Sequence, residues 1–278
     1  MDHSGKIVVI TGAASGIGRE IARAFAARGA DLSLADIDED GLQMIRDELE
    51  SRGRKVYTQA VDVSVAEQVE SFCENTYREM GRVDILCNNA GIGLTGRLED
   101  TTLEDWREIV GIDLWGVVYG CHYFYPRMIE QGGGGHIVNT ASGAGLAPLN
   151  LMTAYCAAKY GVMGLSETLR SEAALHGIGV SVLCPGLVIT NIARNSRMTT
   201  NTVHSTGEEL VEKLHRFSAW RNYTPDKVAA LVVRGVEKNI GVIRAAPETY
   251  IVDWMHRLSR GLFNAFTRSG VKFMLDRL

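Results

Sequence analysis

The sequence of 278 residues has little of what marks flexible linkers, redox centres or membrane spans. Proline occurs only 5 times, and no stretch approaches the ~18 consecutive apolar residues of a membrane-spanning helix. The 5 cysteines are odd in number and form no C-x-x-C pair, so neither a zinc ribbon nor a dithiol redox motif is indicated. The net charge of −4 lacks the basic excess of nucleic-acid-binding proteins. A strand-like run begins almost at once and leaves no room for a secretion signal, so we expect a cytoplasmic protein with buried free thiols.

The chain does contain short β-branched runs that alternate with longer helical stretches. The predicted strands are 6–11, 31–36, 55–61, 83–87, 135–141, 179–184 and 240–244, and the predicted helices are 16–28, 39–52, 65–80, 102–130, 151–176, 225–238 and 248–266. This alternation predicts an α/β fold with a parallel sheet and right-handed crossovers. Thr101 and Glu104 form a possible capping box. Because we find no repeat or linker, we expect one domain over 1–278, with a binding loop at 187–224 and a helical tail at 248–278.

A glycine-rich turn, Thr11-Gly-Ala-Ala-Ser-Gly-Ile-Gly18, joins the first strand to the first helix. Its first glycine suits a tight turn, its second permits close approach of a pyrophosphate, and its third permits close helix packing. The helix amino terminus adds unpaired N–H groups and a partial positive charge. A merely structural turn is the alternative reading, but the strand–turn–helix context favours a dinucleotide site. The residues predicted to contact the cofactor here are Gly12, Ser15, Gly16, Ile17 and Gly18.

An acid, Asp36, closes the next predicted strand. A carboxylate at this place accepts hydrogen bonds from the adenosine ribose hydroxyls. It would repel a 2′-phosphate, since like charges ~4 Å apart cost about 4 kcal/mol at an effective dielectric near 20. Neither Ser15 nor Ile37 offers a compensating cation. The sequence therefore predicts NAD rather than NADP, against the alternative of a solvated acid at a strand end.

A tyrosine and a lysine, Tyr155 and Lys159, are 4 residues apart on a predicted helix and therefore share one face. A phenol of pKa ~10 is a poor base at neutral pH, and lowering that pKa by about three units takes about 4 kcal/mol. The lysine ammonium and a cationic nicotinamide would both favour phenolate. Ser142 follows a predicted strand at the carboxyl end of the sheet, where its hydroxyl could polarise a substrate oxygen.

Taken together, these features resemble the short-chain dehydrogenase/reductase family over essentially the whole chain up to about residue 245. The matching segments are the glycine turn, Asp62-Val63, Asn88-Asn-Ala-Gly91, Ser142, Tyr155-Cys-Ala-Ala-Lys159 and Pro185-Gly-Leu-Val-Ile-Thr190. The resemblance implies a three-layer, Rossmann-like, doubly wound parallel sheet of about seven strands in the order 3-2-1-4-5-6-7. It also implies homodimers or homotetramers.

The resemblance further implies roles for the matched residues. Tyr155 would be the general acid/base and Ser142 would hold the substrate oxygen. Lys159 would bind the nicotinamide ribose and lower the pKa of the tyrosine. Asp62 and Val63 would contact the adenine, and Asn89 and Gly91 would line the adenosine side of the cleft. Val188 and Thr190 would hold the carboxamide, and Pro185 and Gly186, which precede them, would also bind the cofactor.

One position departs from the family pattern, because Asp113 stands where the family usually has an asparagine that supports a water beside the catalytic lysine. The ionised carboxylate accepts hydrogen bonds but donates none. Its charge would pair with Lys159 and raise the pKa of Tyr155. A residue that fills the slot without effect is an equally weighted alternative.

The residues expected to face the substrate are mostly apolar, which favours a hydrophobic secondary alcohol or ketone. They are Leu94, Leu146, Leu149, Met152 and Leu187. Arg194 and Arg197 lie on the predicted loop and either bind an anionic group or, more commonly, are solvated. A carbonyl reductase with the same residues and a catalytically silent NAD-binding protein are the competing hypotheses.

The tail carries an apolar stripe at helical spacing and a net charge of +3 over 250–278. The stripe consists of Ile251, Met255, Leu258, Leu262 and Phe266. Packing on the domain or on a neighbouring subunit is the favoured interpretation, and a peripheral membrane contact is the alternative. Glycines 111, 116 and 120 would thin helix 102–130 and permit close packing between subunits.

Overall fold

The protein was analysed as a computed structural model, which describes residues 2–186, 197–199 and 223–275. Predictions for Leu187, Val188, Thr190 and Arg194 lie outside these residues, as does most of the predicted loop. The strands are β1 (Ile7–Thr11), β2 (Asp31–Asp36), β3 (Val56–Ala60), β4 (Ile85–Asn88), β5 (Leu94–Gly96), β6 (Gly135–Thr140), β7 (Ile178–Cys184), β8 (Arg197–Thr199) and β9 (Val242–Arg244). The helices are α1 (Gly16–Ala26), α2 (Glu39–Glu50), α3 (Ala66–Met80), α4 (Leu103–Val110), α5 (Gly116–Gln131), α6 (Thr153–Ala173), α7 (Pro225–Glu237), α8 (Pro247–Leu258) and α9 (Arg260–Leu275).

Seven strands form one parallel sheet in the order β3-β2-β1-β4-β6-β7-β9. Counted along the chain among these seven, the order is 3-2-1-4-5-6-7, which confirms the expectation. The other two strands, β5 and β8, pair with each other in parallel. All five residues of β1 are buried, as expected for a strand covered on both faces.

Helices cover both faces of this sheet and create two buried apolar clusters. One cluster joins α1, α2 and α7 to the sheet through side chains such as Phe25, Ile45 and Val232. The other joins α3, α5 and α6 to it through Phe72, Phe124 and others. This three-layer arrangement confirms the Rossmann-like, doubly wound prediction.

The predicted helix 102–130 is interrupted in the structure. A π-helical turn, Gly111–Trp115, separates α4 from α5. The capping box at the start of α4 uses Thr102 and Asp105 instead of Thr101 and Glu104, so the predicted position of the capping box was wrong by one residue. A π turn inserts an extra residue into the helical ladder and commonly lies at a functional site.

Two of the three glycines of this region, Gly116 and Gly120, pack closely within the chain, and the predicted packing between subunits stays a prediction. A Cβ on Gly116 would lie 2.8 Å from the Val63 side chain, and one on Gly120 would lie 2.0 Å from Oδ1 of Asn88. These glycines therefore let the helix approach the sheet edge of its own chain.

The predicted helix 248–266 is also two helices, α8 and α9, which meet at the extended residue Ser259. All 5 cysteines are buried free thiols, as expected. Within the described ranges, no helix has the length and apolar character needed to cross a membrane.

Candidate active site

A cleft of about 610 Å³ opens at the carboxyl edge of the main sheet. It is lined by most of the residues that the sequence predicted for cofactor and catalysis, namely Gly12, Ser15, Gly16, Ile17, Asp36, Asp62, Val63, Asn89, Gly91, Ser142, Tyr155, Lys159, Pro185 and Gly186. Gly18 and Asp113 are not part of this lining but lie directly behind it. The fold thus brings together residues that are far apart in sequence.

The glycine turn has the backbone geometry that its sequence predicts. Gly12 and Gly16 adopt φ of +67° and +53°, which L side chains rarely adopt. A Cβ on Gly12 would lie 2.8 Å from Cα of Ala90, and one on Gly18 would lie 2.0 Å from the carbonyl oxygen of Gly12. Ser15 begins α1 without a side-chain cap, so its side chain does not occupy the N–H groups of the first helical turn.

The side chains of Thr11 and Asn89 hold this turn against β4, and no role had been predicted for Thr11. Thr11 Oγ1 accepts hydrogen bonds from the main-chain N–H groups of Asn89 (3.0 Å) and Ala90 (3.2 Å). Asn89 Nδ2 donates to the carbonyls of Thr11 and Gly12. Asn89 therefore positions the turn in addition to lining the cleft. The sequence signal for Thr11 was its place at the end of a buried strand.

The two acids of the nucleotide half are oriented by neighbouring donors. Asp36 accepts from the N–H of Ala14 through Oδ2 (2.9 Å) and from the N–H of Asp38 through Oδ1 (3.1 Å). Asp62 accepts through Oδ1 from both the N–H and the hydroxyl of Ser64. These bonds fix each carboxylate at the wall of the cleft.

Ser142, Tyr155 and Lys159 line the other half of the cleft. Ser142 follows β6 and accepts a hydrogen bond from the N–H of Ala144 at 3.2 Å. Tyr155 and Lys159 lie one turn apart on α6, and the lysine Nζ is 5.6 Å from the centre of the tyrosine ring. Lys159 Nζ also donates to the carbonyl oxygen of Thr140, a residue that sequence reasoning missed, at 3.2 Å.

A buried ion pair lies behind these residues. Lys159 Nζ is 3.1 Å from Asp113 Oδ2, and the two side chains are 3% and 0% exposed. Asp113 Oδ1 accepts from the N–H of Ile92 at 2.8 Å, while Oδ2 has no hydrogen bond of good geometry. A Cβ on Gly91 would lie 3.2 Å from Asp113 Oδ1 and 3.3 Å from Lys159 Nζ, so this glycine leaves room for the pair.

The charges around Tyr155 oppose one another. Burial raises the pKa of its phenol above the ordinary value, Lys159 lowers it, Asp113 raises it, and Ser142 lowers it. Lys159 and Asp113 therefore act in the predicted directions, and burial, the largest influence, leaves the pKa of the phenol above its ordinary value in the protein without cofactor. Burial lowers the pKa of Lys159, but Asp113 and Tyr155 raise it, so the ammonium remains charged.

The residues predicted to face the substrate divide into two groups. Leu94 and Leu146 are buried in apolar clusters and do not line the cleft, so these two predictions were wrong. Met152 packs against the cluster that contains Tyr155, and Leu149 is exposed. Leu94 lies in the short strand β5 and Leu146 ends a short helical turn after Ser142, and the sequence pattern does not show which way either side chain points.

Comparison with known proteins places the chain in a family. A family model described as short chain dehydrogenase matches residues 6–201. The chain therefore belongs to the short-chain dehydrogenase/reductase family of oxidoreductases.

Among curated proteins, the chain is 41% identical to the probable oxidoreductase EphD of Mycobacterium tuberculosis (strain H37Rv) over 258 residues, which are 91% of this chain and 43% of EphD. It thus spans less than half the length of that relative. It is 34% identical to the meso-2,3-butanediol dehydrogenase of Serratia marcescens, with 84% of this chain and 87% of that protein covered.

Two solved structures resemble the fold closely. A short-chain dehydrogenase/reductase from Burkholderia phymatum in complex with NAD has a TM-score of 0.86 and 32% identity, with 94% of this chain and 96% of that chain covered. An alcohol dehydrogenase from Thermococcus sibiricus complexed with 5-hydroxy-NADP has a TM-score of 0.70 and 29% identity, with 86% and 94% covered. Structural neighbours therefore include proteins that hold NAD and proteins that hold an NADP derivative.

Proposed function

We propose that this protein is an NAD-dependent oxidoreductase that interconverts a hydrophobic secondary alcohol and its ketone. The observation that carries the proposal is that Ser142, Tyr155 and Lys159 line the same cleft as the glycine turn. A relative named for butanediol oxidation supports an alcohol as the substrate class. The partly buried Met152, which packs against the cluster that contains Tyr155, favours an apolar substrate.

The cleft suits a dinucleotide. Gly12 and Gly16 keep the turn free of side chains, and the amino terminus of α1 presents N–H groups that suit a pyrophosphate. The Asp36 carboxylate, which two main-chain N–H groups hold in place, would accept hydrogen bonds from the adenosine ribose hydroxyls. When bound, NAD supplies the hydride acceptor or donor, and its oxidised nicotinamide adds a positive charge to the cleft.

Catalysis by this chain would then be a proton transfer at Tyr155. In the oxidative direction the phenolate removes the proton of an alcohol whose oxygen Ser142 holds by a hydrogen bond. In the reductive direction the phenol returns that proton to the ketone oxygen. Lys159 favours the phenolate, while the buried Asp113 opposes it. Because the same residues serve both directions, the ratio of oxidised to reduced cofactor would set the direction.

Tyr155→Phe tests the proposal. A positioned proton-transfer group contributes roughly 10²–10⁴-fold to rate, so kcat is expected to fall by about that factor. The Kd for NADH should change little, because the ring is retained. Steady-state kinetics on a panel of secondary alcohols and ketones, with fluorescence titration of NADH, provides both measurements.

Tyr160→Phe is the matched control, since Tyr160 lies on the same helix and is partly exposed. It should leave both quantities unchanged. A Tyr155→Phe enzyme with near wild-type kcat would overturn the assignment.

Asp36→Asn tests the choice of cofactor. The wild-type protein is expected to prefer NAD. Loss of the charge should lower the ratio of kcat/KM with NAD to kcat/KM with NADP by roughly 10²–10³-fold. Asp40→Asn, an exposed acid at the start of α2, should leave the ratio unchanged. Wild-type preference for NADP would contradict the proposal.

A further inference from the structure

Helix α8, the first of the two helices in the carboxyl-terminal segment, packs against the body of the protein along one face. Thr249 and Asp253 are buried on that side, and His256 Nδ1 lies 3.0 Å from the carbonyl oxygen of Leu146. Asp253 accepts hydrogen bonds from Arg257 (2.6 Å) and Arg244 (2.9 Å). The helix is therefore held in place, and it rests on the loop that follows Ser142.

The opposite side of α8 carries large apolar side chains that are exposed in the part of the chain that the structure describes. We call this set, which continues into α9, the apolar outer face; it consists of Tyr250, Ile251, Trp254, Leu258 and Leu262. Trp254 is 64% exposed and Leu258 is 66% exposed. The four α8 residues fall within an arc of roughly 100° on the helix, so they present one continuous surface. Exposed patches of this kind mark interaction sites.

The exposed charged side chains of the segment that carries the apolar outer face are basic, although the exposed acid Glu167 of α6 also acts on Arg257. Arg257, Arg260 and Arg268 are exposed beside it. Between Tyr250 and Arg268 the only acid is Asp253, which is buried beneath two arginines. Residues 250–278 hold five basic and two acidic side chains, a net +3, whereas the whole chain carries −4. The segment therefore differs in charge from the rest of the protein.

We propose that the apolar outer face docks on the surface of an anionic lipid bilayer. Tryptophan and tyrosine favour the boundary between headgroups and hydrocarbon, and flanking arginines bind anionic headgroups. A second copy of the chain fits less well, because a two-fold contact through this face would bring the like-charged Arg260 and Arg268 of the two copies together. The proposal does not depend on the proposed enzymatic activity.

Vesicle flotation with the full-length protein tests the docking. The probes are vesicles of phosphatidylcholine alone and vesicles with about 30% phosphatidylglycerol, at about 0.15 M and about 1 M salt. Binding is expected only with the anionic vesicles, and high salt should weaken it. Replacing Arg260 and Arg268 with Gln should weaken it by roughly tenfold or more.

A triple variant, Ile251→Ser, Trp254→Ser and Leu258→Ser, should lose at least about tenfold in vesicle affinity and keep its thermal unfolding midpoint. The matched control replaces three equally exposed apolar residues elsewhere, Met44, Leu103 and Leu175, with Ser and should bind as the wild type does. Wild-type protein that fails to float, or a control that loses binding equally, overturns the proposal. So does a triple variant of lower oligomeric mass by light scattering, which would show that a second copy covers this face.

Discussion

Two buried aspartates at opposite ends of the main sheet differ in how completely they are paired. At the amino end, Asp84 accepts from the N–H of Ile7 (3.0 Å), from Lys6 Nζ (3.0 Å) and from Arg82 Nη2 (2.8 Å). At the carboxyl end, Asp113 accepts from one N–H and faces one ammonium, and Oδ2 has no well-formed hydrogen bond.

The difference indicates what each charge does. A carboxylate whose oxygens are fully bonded stabilises the fold, and removing it leaves buried donors unpaired. A buried carboxylate with an incompletely bonded oxygen next to a cleft still acts on the charges around it. The number of bonds, more than burial itself, therefore separates the structural aspartate from the one beside the chemistry.

The largest expected effect is at the amino end. Asp84→Ala should lower the free energy of unfolding by about 3 kcal/mol, because the buried N–H of Ile7 and two cations lose their acceptor. Urea denaturation measures this loss. Asp84→Asn keeps an acceptor and should lose less. A variant with normal stability but altered kcat would break the comparison.

His136 gives the amino end a pH dependence. Its ring lies 2.7 Å from Ser181 Oγ, and burial lowers its pKa to about 4 from 6.5. Since the folded state resists the proton, its stabilising contribution is present above pH ~6.5 and is lost as the pH falls through about 4. We expect a loss of about 3 kcal/mol of unfolding free energy over that window. Urea melts across pH measure it.

His136→Gln is the control for that experiment and should flatten this part of the stability curve. An unchanged slope in the variant would assign the pH dependence to other groups. The pH profile of kcat should be unaffected by this substitution, because the histidine lies at the end of the sheet away from the cleft.

The smallest expected effect is at the carboxyl end and concerns rate instead of stability. Asp113→Asn removes the anion that raises the pKa of Tyr155, so the rise of alcohol oxidation with pH should shift to lower pH. A pH–rate profile of kcat/KM measures the shift. An unchanged profile would mean that Asp113 only fills space, and the comparison with Asp84 would lose its basis.

The nucleotide half of the cleft could be predicted from sequence because its determinants are local. The glycines of the turn and Asp36 lie within one strand–helix–strand unit. Their spacing along the chain therefore predicts how they are arranged in the fold. Tyr155 and Lys159 were likewise placed correctly on one helix face by a spacing of four.

The catalytic half could be predicted only in part, because its electrostatics depend on contacts between distant segments. Asp113 reaches Lys159 from a π turn that hydrophobic periodicity does not reveal. The net direction of the Tyr155 pKa depends on burial, which a spacing does not report. The break at Ser259 and the burial of Leu94 similarly depend on packing partners.

The short strand β5 affects how the cleft can change to accept different molecules. It pairs with β8 on one side, and Gly96 bridges to Met152, donating its N–H to the carbonyl of Leu151 at 2.7 Å. Strand β8 and the start of the helix that carries Tyr155 are thus connected through main-chain pairing with β5. Because main-chain pairing does not depend on the identity of a side chain, it can hold the start of this helix, and with it the reacting phenol, in one position while the recognised molecule differs.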